Sequence, residues 1–225
     1  GGTVVTMNAD RQVLMNGAVV VDEGAIVAVG PAAEIAARYD ARRVIQPAPH
    51  DIVMPGIVNG HNHAAMTLLR GVADDMRLMD WLQNYIFPAE STLVDPDFVR
   101  VGTRLAALEM IRTGTTTFAD MYYYEDDVAQ VVNDAGLRGV LGETILDMPT
   151  PDAATVDDAL AYTEQFLQNW ADHPRVTAAV APHAPYTVGP ETLRKTAALA
   201  RRYGAPLLIH LAESRDELEQ VQGRY

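Results

Sequence analysis

The sequence predicts an α/β protein in which the strands of a parallel sheet alternate with helices, preceded by a small all-β region. From Ile52 onward, short apolar runs alternate with longer helical stretches, which is typical of βα units. Runs such as residues 176–180 and 206–209 are almost wholly apolar, as expected for strands covered on both faces. These patterns fit a closed barrel and a doubly wound open sheet equally well.

The N-terminal region has a different pattern. Short runs rich in β-branched residues are separated by turn residues, which predicts strands and tight turns. The expected strands are residues 3–7, 17–22, 25–30 and 44–45. We therefore assign residues 1–54 to a small β-structured domain and residues 55–225 to the α/β domain.

Five strands can be placed in the α/β domain, together with the ends of several helices. The strands are expected at residues 56–61, 115–121, 137–146, 176–183 and 206–211. Asp95 and Pro96 indicate a helix start, because aspartate caps a helix and proline fits its first position. Helices are expected to end at Gly114, Gly136 and Gly204.

Composition and charge narrow the class of protein. With 225 residues, of which 48% are hydrophobic, the chain can bury a sizeable core. Its net charge of −13 argues against binding to nucleic acid or to an anionic membrane surface, because such binding relies on clustered lysine and arginine. The N-terminus resembles neither a signal peptide nor a membrane span, which suits a cytoplasmic protein. Because cysteine is absent, a metal site would have to use histidine and carboxylate ligands.

Histidines lie at the expected ends of strands. His61 and His63 are two residues apart on an extended segment, so both imidazoles point to the same side and can meet at one ion. Such a pair alone is a weak signal, and two polar residues on an exposed loop would be the simpler interpretation. However, His183 and His210 follow other apolar strands, and Glu213 lies just beyond the second of these. The carboxyl ends of parallel strands form one face, so these side chains are expected to converge.

Specific sequence blocks strengthen this interpretation. Residues 54–63, Met-Pro-Gly-Ile-Val-Asn-Gly-His-Asn-His, resemble the first metal-binding motif of the amidohydrolase superfamily. Six further blocks are similar to its 5-methylthioadenosine/S-adenosylhomocysteine deaminase branch and occur in the family's order: residues 64–75, 81–82, 87–90, 114–117, 182–187 and 210–213. The resemblance implies a (β/α)8 TIM-like barrel with a small β-sandwich, of which this chain would hold about five βα units.

The resemblance also implies roles for individual residues. His61, His63 and His210 resemble the histidine ligands of one divalent metal ion, most often zinc, with iron and manganese as alternatives. Glu213 resembles the acid that protonates the substrate ring, although a carboxylate at a helix N-terminus is the alternative interpretation. His183 resembles a catalytic histidine that binds substrate and can hydrogen-bond the attacking hydroxide.

Two more residues are expected to bind the substrate. Glu90 resembles a carboxylate that accepts hydrogen bonds from ribose hydroxyls, with an exposed carboxylate as the alternative. Trp81 is interpreted equally as an apolar wall beside the purine and as an ordinary core residue. The tyrosines at residues 122–124 are assigned equally to the pocket wall and to simple burial.

Together these features predict a metal-dependent deaminase that hydrolyses adenine nucleosides, such as 5-methylthioadenosine and S-adenosylhomocysteine, at C6 and releases ammonia. Two alternatives stay open: an enzyme acting on another ring, such as a guanine or cytosine deaminase or an s-triazine hydrolase, and a non-catalytic scaffold. The resemblance further suggests a homo-oligomer. The family pattern adds another histidine and a strand-end aspartate, which have no counterpart before Tyr225, so we expect part of a longer polypeptide or one member of a split pair.

Overall fold

The computed structural model describes residues 1–48 and 50–224. The chain divides into two compact units, Gly1–Gly56 and Ile57–Tyr225. The expected β-sandwich stays a prediction, because the described part of the first unit contains a single sheet. Among the described residues, no helix is both long enough and apolar enough to cross a membrane.

The first unit is a four-stranded sheet with one short helix. Its elements are β1 (Gly2–Val5), β2 (Val13–Asp22), β3 (Ala25–Pro31), α1 (Ala32–Arg38) and β4 (Ile52–Val53). The strand order is β3-β2-β1-β4. Strands β1, β2 and β3 pair antiparallel, whereas β4 pairs parallel to β1.

Two expectations for this unit are wrong. Ala32–Arg38 is a helix rather than part of an all-β region, because its sequence Ala-Ala-Glu-Ile-Ala-Ala-Arg consists almost wholly of strong helix formers. Residues 44–45 do not form a strand, and the position beside β1 is taken by β4 instead. The side chains of Val44 and Ile45 are 67% and 76% exposed, so their β propensity is not supported by packing.

The second unit is built on a parallel sheet with the strand order β5-β6-β7-β8. These strands span Ile57–Asn62, Thr115–Tyr122, Arg138–Ile145 and Val176–Pro182, and every boundary lies within one residue of its expected position. Nearly every residue of β7 and β8 is buried or half-buried. The expectation of strands covered on both faces is therefore confirmed for β8, whereas Pro206 and Leu207 of the other expected run are exposed.

The expectation of a fifth regular strand at residues 206–211 is wrong. The segment lies beside β8 and forms an isolated parallel bridge between Val180 and Leu207. The Val180 N–H donates to the Pro206 carbonyl at 3.0 Å, and the Leu208 N–H donates to the Val180 carbonyl at 2.9 Å. Pro206 has no N–H of its own, which shortens the ladder. The segment still runs alongside the carboxyl end of the sheet.

Helices connect the strands of the second unit. They are α4 (Pro96–Thr113), α5 (Glu125–Ala135), α6 (Val156–Asn169), α7 (Pro190–Tyr203) and α8 (Arg215–Arg224). Asp95 caps α4 as expected, because its Oδ1 accepts a hydrogen bond from the Phe98 N–H at 2.8 Å. Helix α4 ends at Gly114 with φ of 87°, in the left-handed region that glycine adopts at low cost.

A helical segment with an irregular centre lies between β5 and α4. It follows a 3-10 helix, Ala64–Leu69, and consists of α2 (Leu78–Trp81), a π-helical turn (Leu82–Ile86) and α3 (Phe87–Leu93). In the π-helical turn the Phe87 N–H donates to the carbonyl of Leu82, five residues earlier. Leu82 and Ile86 are buried in a small apolar cluster with Leu69.

The main core lies between the sheet and its helices. Phe118, Leu141 and Val180, from β6, β7 and β8, are fully buried together with Val132 of α5 and Phe166 of α6. Packing against these helices therefore holds the sheet in place, including the strand ends that carry the polar residues.

Helix α4 approaches the 3-10 helix very closely at Gly102. A Cβ atom at this position would overlap the carbonyl oxygen of Ala65 and would lie 2.8 Å from its Cα. The Thr67 hydroxyl joins the same two elements by donating to the Gly102 carbonyl at 2.8 Å. This contact holds the residues that directly follow His63 against α4.

Candidate metal and active site

Three histidines converge at one end of the parallel sheet. His61 belongs to β5, His63 directly follows it, and His210 comes from the extended segment beside β8. The three ring centroids lie 5.1 to 5.2 Å apart, and the Nε2 atoms of His61 and His63 are separated by 3.4 Å. One ligand atom from each residue lies within 4.8 Å of the others. Within the described part of the chain, no other group of three residues meets this requirement.

Backbone carbonyls orient two of these rings. Nδ1 of His63 lies 2.7 Å from the carbonyl oxygen of Met121, and Nδ1 of His210 lies 3.0 Å from that of His183. A carbonyl can only accept, so both Nδ1 atoms carry a proton, which leaves Nε2 as the atom of each ring that can bind a metal ion. Histidine ligands of metal ions commonly have this arrangement, in which the outer nitrogen donates to a backbone oxygen.

The chemistry of these donors fits a divalent metal ion. Burial lowers the pKa of His63 to about 4, against the opposing effect of its hydrogen bond to Met121, and the neighbouring His210 and His61 add to the lowering. His63 is therefore neutral at pH 7, which is the state that binds a metal ion. Imidazole ligands suit zinc and similar borderline ions.

His183 lies beside this cluster, just after β8. Its ring centroid is 4.9 Å from that of His210, and burial lowers its pKa to about 3. The Thr187 hydroxyl donates to the Ala184 carbonyl at 3.2 Å, so its oxygen accepts from Nδ1 of His183 at 2.8 Å. Nε2 of His183 is consequently unprotonated and can accept a hydrogen bond from a ligand.

A single cleft contains most of the predicted site residues. Trp81, Glu90, His183 and Glu213 line it together with His63 and His210. His61 lines an adjoining groove instead. Its ring contacts His63 and His210, which do line the cleft. Sequence reasoning missed much of the apolar wall, which includes Met66, Leu78, Leu82, Ile86 and Phe87. In the sequence these residues appear only as apolar positions at helical spacing. Ordinary core residues show the same pattern, so it does not indicate a pocket wall.

Glu90 is buried rather than exposed, with 5% of its surface accessible. Burial raises the pKa of its carboxyl to about 7, an effect that nearby Tyr122 and Tyr123 partly oppose. The hydroxyl of Tyr123 lies 3.5 Å from Oε2 of Glu90. Tyr122 and Tyr123 line the cleft, whereas the hydroxyl of Tyr124 donates to the Pro151 carbonyl at 2.7 Å.

Trp81 is half-buried in the wall of the cleft. Its indole N–H donates to the Val72 carbonyl at 3.1 Å, so the polar end of the ring is satisfied and its apolar surface is available to a ligand. Glu213 is exposed and accepts a hydrogen bond at Oε2 from the Tyr186 hydroxyl at 2.7 Å. This contact could not be predicted from the sequence, since the two residues are 27 positions apart.

Asp120 holds the backbone on either side of the His63 ring. It is buried, and its carboxylate accepts hydrogen bonds from the N–H groups of Ala64 at 3.0 Å and Met121 at 3.1 Å. Asp120 thus links Ala64, which follows His63, to Met121, whose carbonyl oxygen lies beside Nδ1 of His63. Arg70, another polar residue near the site, forms an exposed ion pair with Glu109 at 2.8 Å.

Known proteins are similar to this chain in sequence and in fold. Residues 52–225 match the Amidohydrolase family, and residues 17–41 match the bacterial imidazolonepropionase-like composite domain. A 5-methylthioadenosine/S-adenosylhomocysteine deaminase from Syntrophobacter fumaroxidans is 46% identical over 224 residues, which cover 100% of this chain and 51% of that protein. The chain spans about half the length of the curated relatives it matches.

Solved structures agree with this assignment. The crystal structure of an adenosine deaminase from Xanthomonas campestris, with bound zinc, has a TM-score of 0.90 and 38% identity, covering 100% of this chain and 51% of that one. Guanine deaminase from E. coli has a TM-score of 0.82 at 20% identity, and the match covers 99% of this chain and 55% of that one. At this identity the similarity supports the fold and nothing further. The parallel sheet and its helices are thus part of a TIM-like barrel, which confirms the fold prediction. The chain belongs to the amidohydrolase family.

Proposed function

We propose that the protein to which this chain belongs is a metal-dependent deaminase of adenine nucleosides, with 5-methylthioadenosine and S-adenosylhomocysteine as its substrates. The observation that carries the proposal is the cleft in which Glu90, His183 and Glu213 face two histidines of the metal-binding type. The relatives named as 5-methylthioadenosine/S-adenosylhomocysteine deaminases support the substrate class.

His61, His63 and His210 would hold the metal ion, and zinc is the ion we propose. The zinc in the Xanthomonas campestris deaminase supports this choice over iron or manganese. When bound, such an ion supplies Lewis-acid activation of a water molecule for attack on the ring. The carbonyls that hold the outer nitrogens of His63 and His210 keep both rings aimed at that ion.

The other residues bind and polarise the nucleoside. Glu90, in its ionised form, accepts hydrogen bonds from the two ribose hydroxyls, and its buried position makes those bonds strong. Trp81 provides an apolar surface beside the purine. Glu213 donates a proton to the ring nitrogen next to the carbon that bears the amino group, which makes that carbon more electrophilic. Nε2 of His183 accepts a hydrogen bond from the attacking water.

The proposal is tested by measuring ammonia release from the full-length protein. Methylthioadenosine, S-adenosylhomocysteine and adenosine are compared with guanine, cytosine and an s-triazine, and metal content is measured in parallel. His210→Ala should remove both bound zinc and activity, whereas His50→Ala, at an exposed residue outside the cleft, should retain both.

Two outcomes would contradict the proposal. Deamination of another ring, with none of the adenine nucleosides accepted, would assign the site to a different substrate class. A full-length protein that is purified without chelators and holds no stoichiometric divalent ion would favour a non-catalytic scaffold. The homo-oligomeric state and a small-molecule partner, rather than nucleic acid or membrane, stay predictions that gel filtration with light scattering and direct binding assays can check.

A further inference from the structure

The loop that carries Glu213 is held firmly through its backbone. The N–H groups of Ala212 and Glu213 donate to the two carboxylate oxygens of Glu217 at 3.0 and 2.7 Å. Glu217 is 2% exposed, so these bonds are shielded from water. Ala212 has φ of 59°, a left-handed conformation that costs free energy for a residue with a Cβ. The Glu217 bonds offset that cost and fix the main chain, but they do not select a rotamer for the Glu213 side chain.

Tyr186 supplies the contact that selects this rotamer. Its hydroxyl donates to Oε2 of Glu213 at 2.7 Å, the usual length of an O–H···O hydrogen bond. Burial raises the pKa of Tyr186 above its ordinary value, and Glu213 adds to the shift, so the phenol stays protonated and acts as the donor. Because this bond uses Oε2, Oε1 is the oxygen left to meet a substrate in the cleft.

The position of Tyr186 is set by the turn that also carries His183. The N–H groups of Thr187 and Val188 both donate to the Ala184 carbonyl, at 3.1 and 2.9 Å. The ring of Tyr186 meets that of His183 edge to face, with the centroids 5.9 Å apart. One turn therefore places both the histidine and the phenol.

We propose that Tyr186 is a positioning residue that holds the Glu213 carboxyl group in the orientation required for proton transfer to the substrate ring. The inference rests on the proposed role of Glu213 as the ring acid. Tyr186 exchanges no proton with the substrate, and its hydroxyl acts by restricting the carboxyl group to one rotamer. Loss of the hydroxyl therefore slows the chemical step more than it weakens substrate binding.

The test is a double-mutant cycle in the full-length, metal-loaded protein. Tyr186→Phe, which keeps the ring, should lower kcat by roughly ten- to a hundredfold, the range expected for a hydrogen bond to the carboxylate that Glu213 becomes as it gives up its proton, with a smaller change in KM. Glu213→Gln removes the acid, and adding Tyr186→Phe to it should cause little further loss. Equal losses from Tyr186→Phe in both backgrounds would overturn the inference.

Tyr203→Phe is a matched control. The hydroxyl of Tyr203 also donates to a carboxylate, Oε1 of Glu164, at 2.6 Å, but neither residue lines the cleft. This variant loses the same kind of bond and should keep the kcat of the wild type. A fall in kcat equal to that of Tyr186→Phe would show a general effect on stability and would also overturn the inference.

The inference and the proposed function fail in different ways. The cycle is measured on whichever ring the full-length protein deaminates, so failure with adenine nucleosides contradicts the proposed substrate alone. Crystal structures of the wild type and Tyr186→Phe provide a readout that needs no activity. Positioning requires the Glu213 carboxyl group to change rotamer or to lose order in the variant, and an unchanged Glu213 would overturn the inference.

Discussion

Gly102→Ala should destabilise the protein even though alanine is the better helix former. Gly102 lies inside α4, where a Cβ atom would overlap the carbonyl oxygen of Ala65 in the neighbouring 3-10 helix. The obstacle is backbone, which cannot swing away as the end of a flexible side chain can. The clash therefore has to be relieved by moving α4 and the 3-10 helix apart.

Two opposing effects set the size of the change. Alanine in place of glycine favours a helix interior by about 1 kcal/mol. Overpacking a close contact costs about 1–3 kcal/mol, and the rigid obstacle in Ala65 puts Gly102 at or above the top of that range. The net decrease in the free energy of unfolding should be about 2 kcal/mol.

Urea unfolding followed by circular dichroism measures this decrease. For a slope of about 2 kcal/mol per molar urea, the midpoint of Gly102→Ala should fall by about 1 M. Gly223→Ala is the control, because Gly223 also lies in a helix, α8, and an added Cβ there meets no atom within 4 Å. A Gly102→Ala midpoint equal to or above that of the wild type would refute the close packing of α4 on the 3-10 helix.

Three further substitutions test a buried carboxyl group, a helix cap and a histidine contact. Burial raises the pKa of Glu90 from 4.5 to about 7, so its ionisation lowers stability as the pH rises through that interval. Glu90→Gln should then increase the free energy of unfolding by up to about 3 kcal/mol at pH 8 and leave it unchanged at pH 4. Urea titrations at both pH values measure this difference, and equal effects of the substitution at pH 4 and pH 8 would contradict it. Asp95→Ala removes the acceptor for the Phe98 N–H and should cost about 1 kcal/mol in thermal unfolding, with Asp95→Asn as the control that stays near the wild type. Thr187→Val removes the partner of His183 Nδ1 and should lower kcat about tenfold without loss of zinc, so a drop in zinc content would count against the assigned role.

The regular parts of the second unit could be predicted because their causes are local. Apolar runs bounded by turn residues located β5 to β8 to within one residue, and Gly114 ended α4 because a left-handed residue was needed there. The segment at residues 206–211 could not be predicted in the same way. Its composition is that of a strand, but whether a ladder forms depends on hydrogen-bonding partners that composition does not specify.

In the candidate site, too, local features could be predicted from the sequence and contacts between distant residues could not. The spacing of His61 and His63 on an extended segment already placed both rings on one side, and the structure brings them to His210. The contacts that fix these side chains link distant positions in the chain. Asp120 binds the N–H of Ala64, 56 residues earlier, and no pattern in either segment indicates that bond.

The π-helical turn at Leu82–Ile86 sets the angle between Trp81 and Glu90, the two residues of this segment that we propose to bind substrate. Trp81 and Glu90 are nine positions apart, which in an uninterrupted α-helix would put them on nearly opposite faces, about 180° apart. The wider turn absorbs about one extra residue, which reduces that angle to about 80° and lets both side chains border one cleft. Deletion of a single residue within the turn would rotate the Glu90 carboxylate away from the Trp81 indole without changing His61, His63 or His210, the proposed metal ligands. A change in the length of this turn should therefore alter the substrate preference of the proposed site without a substitution at Trp81 or Glu90.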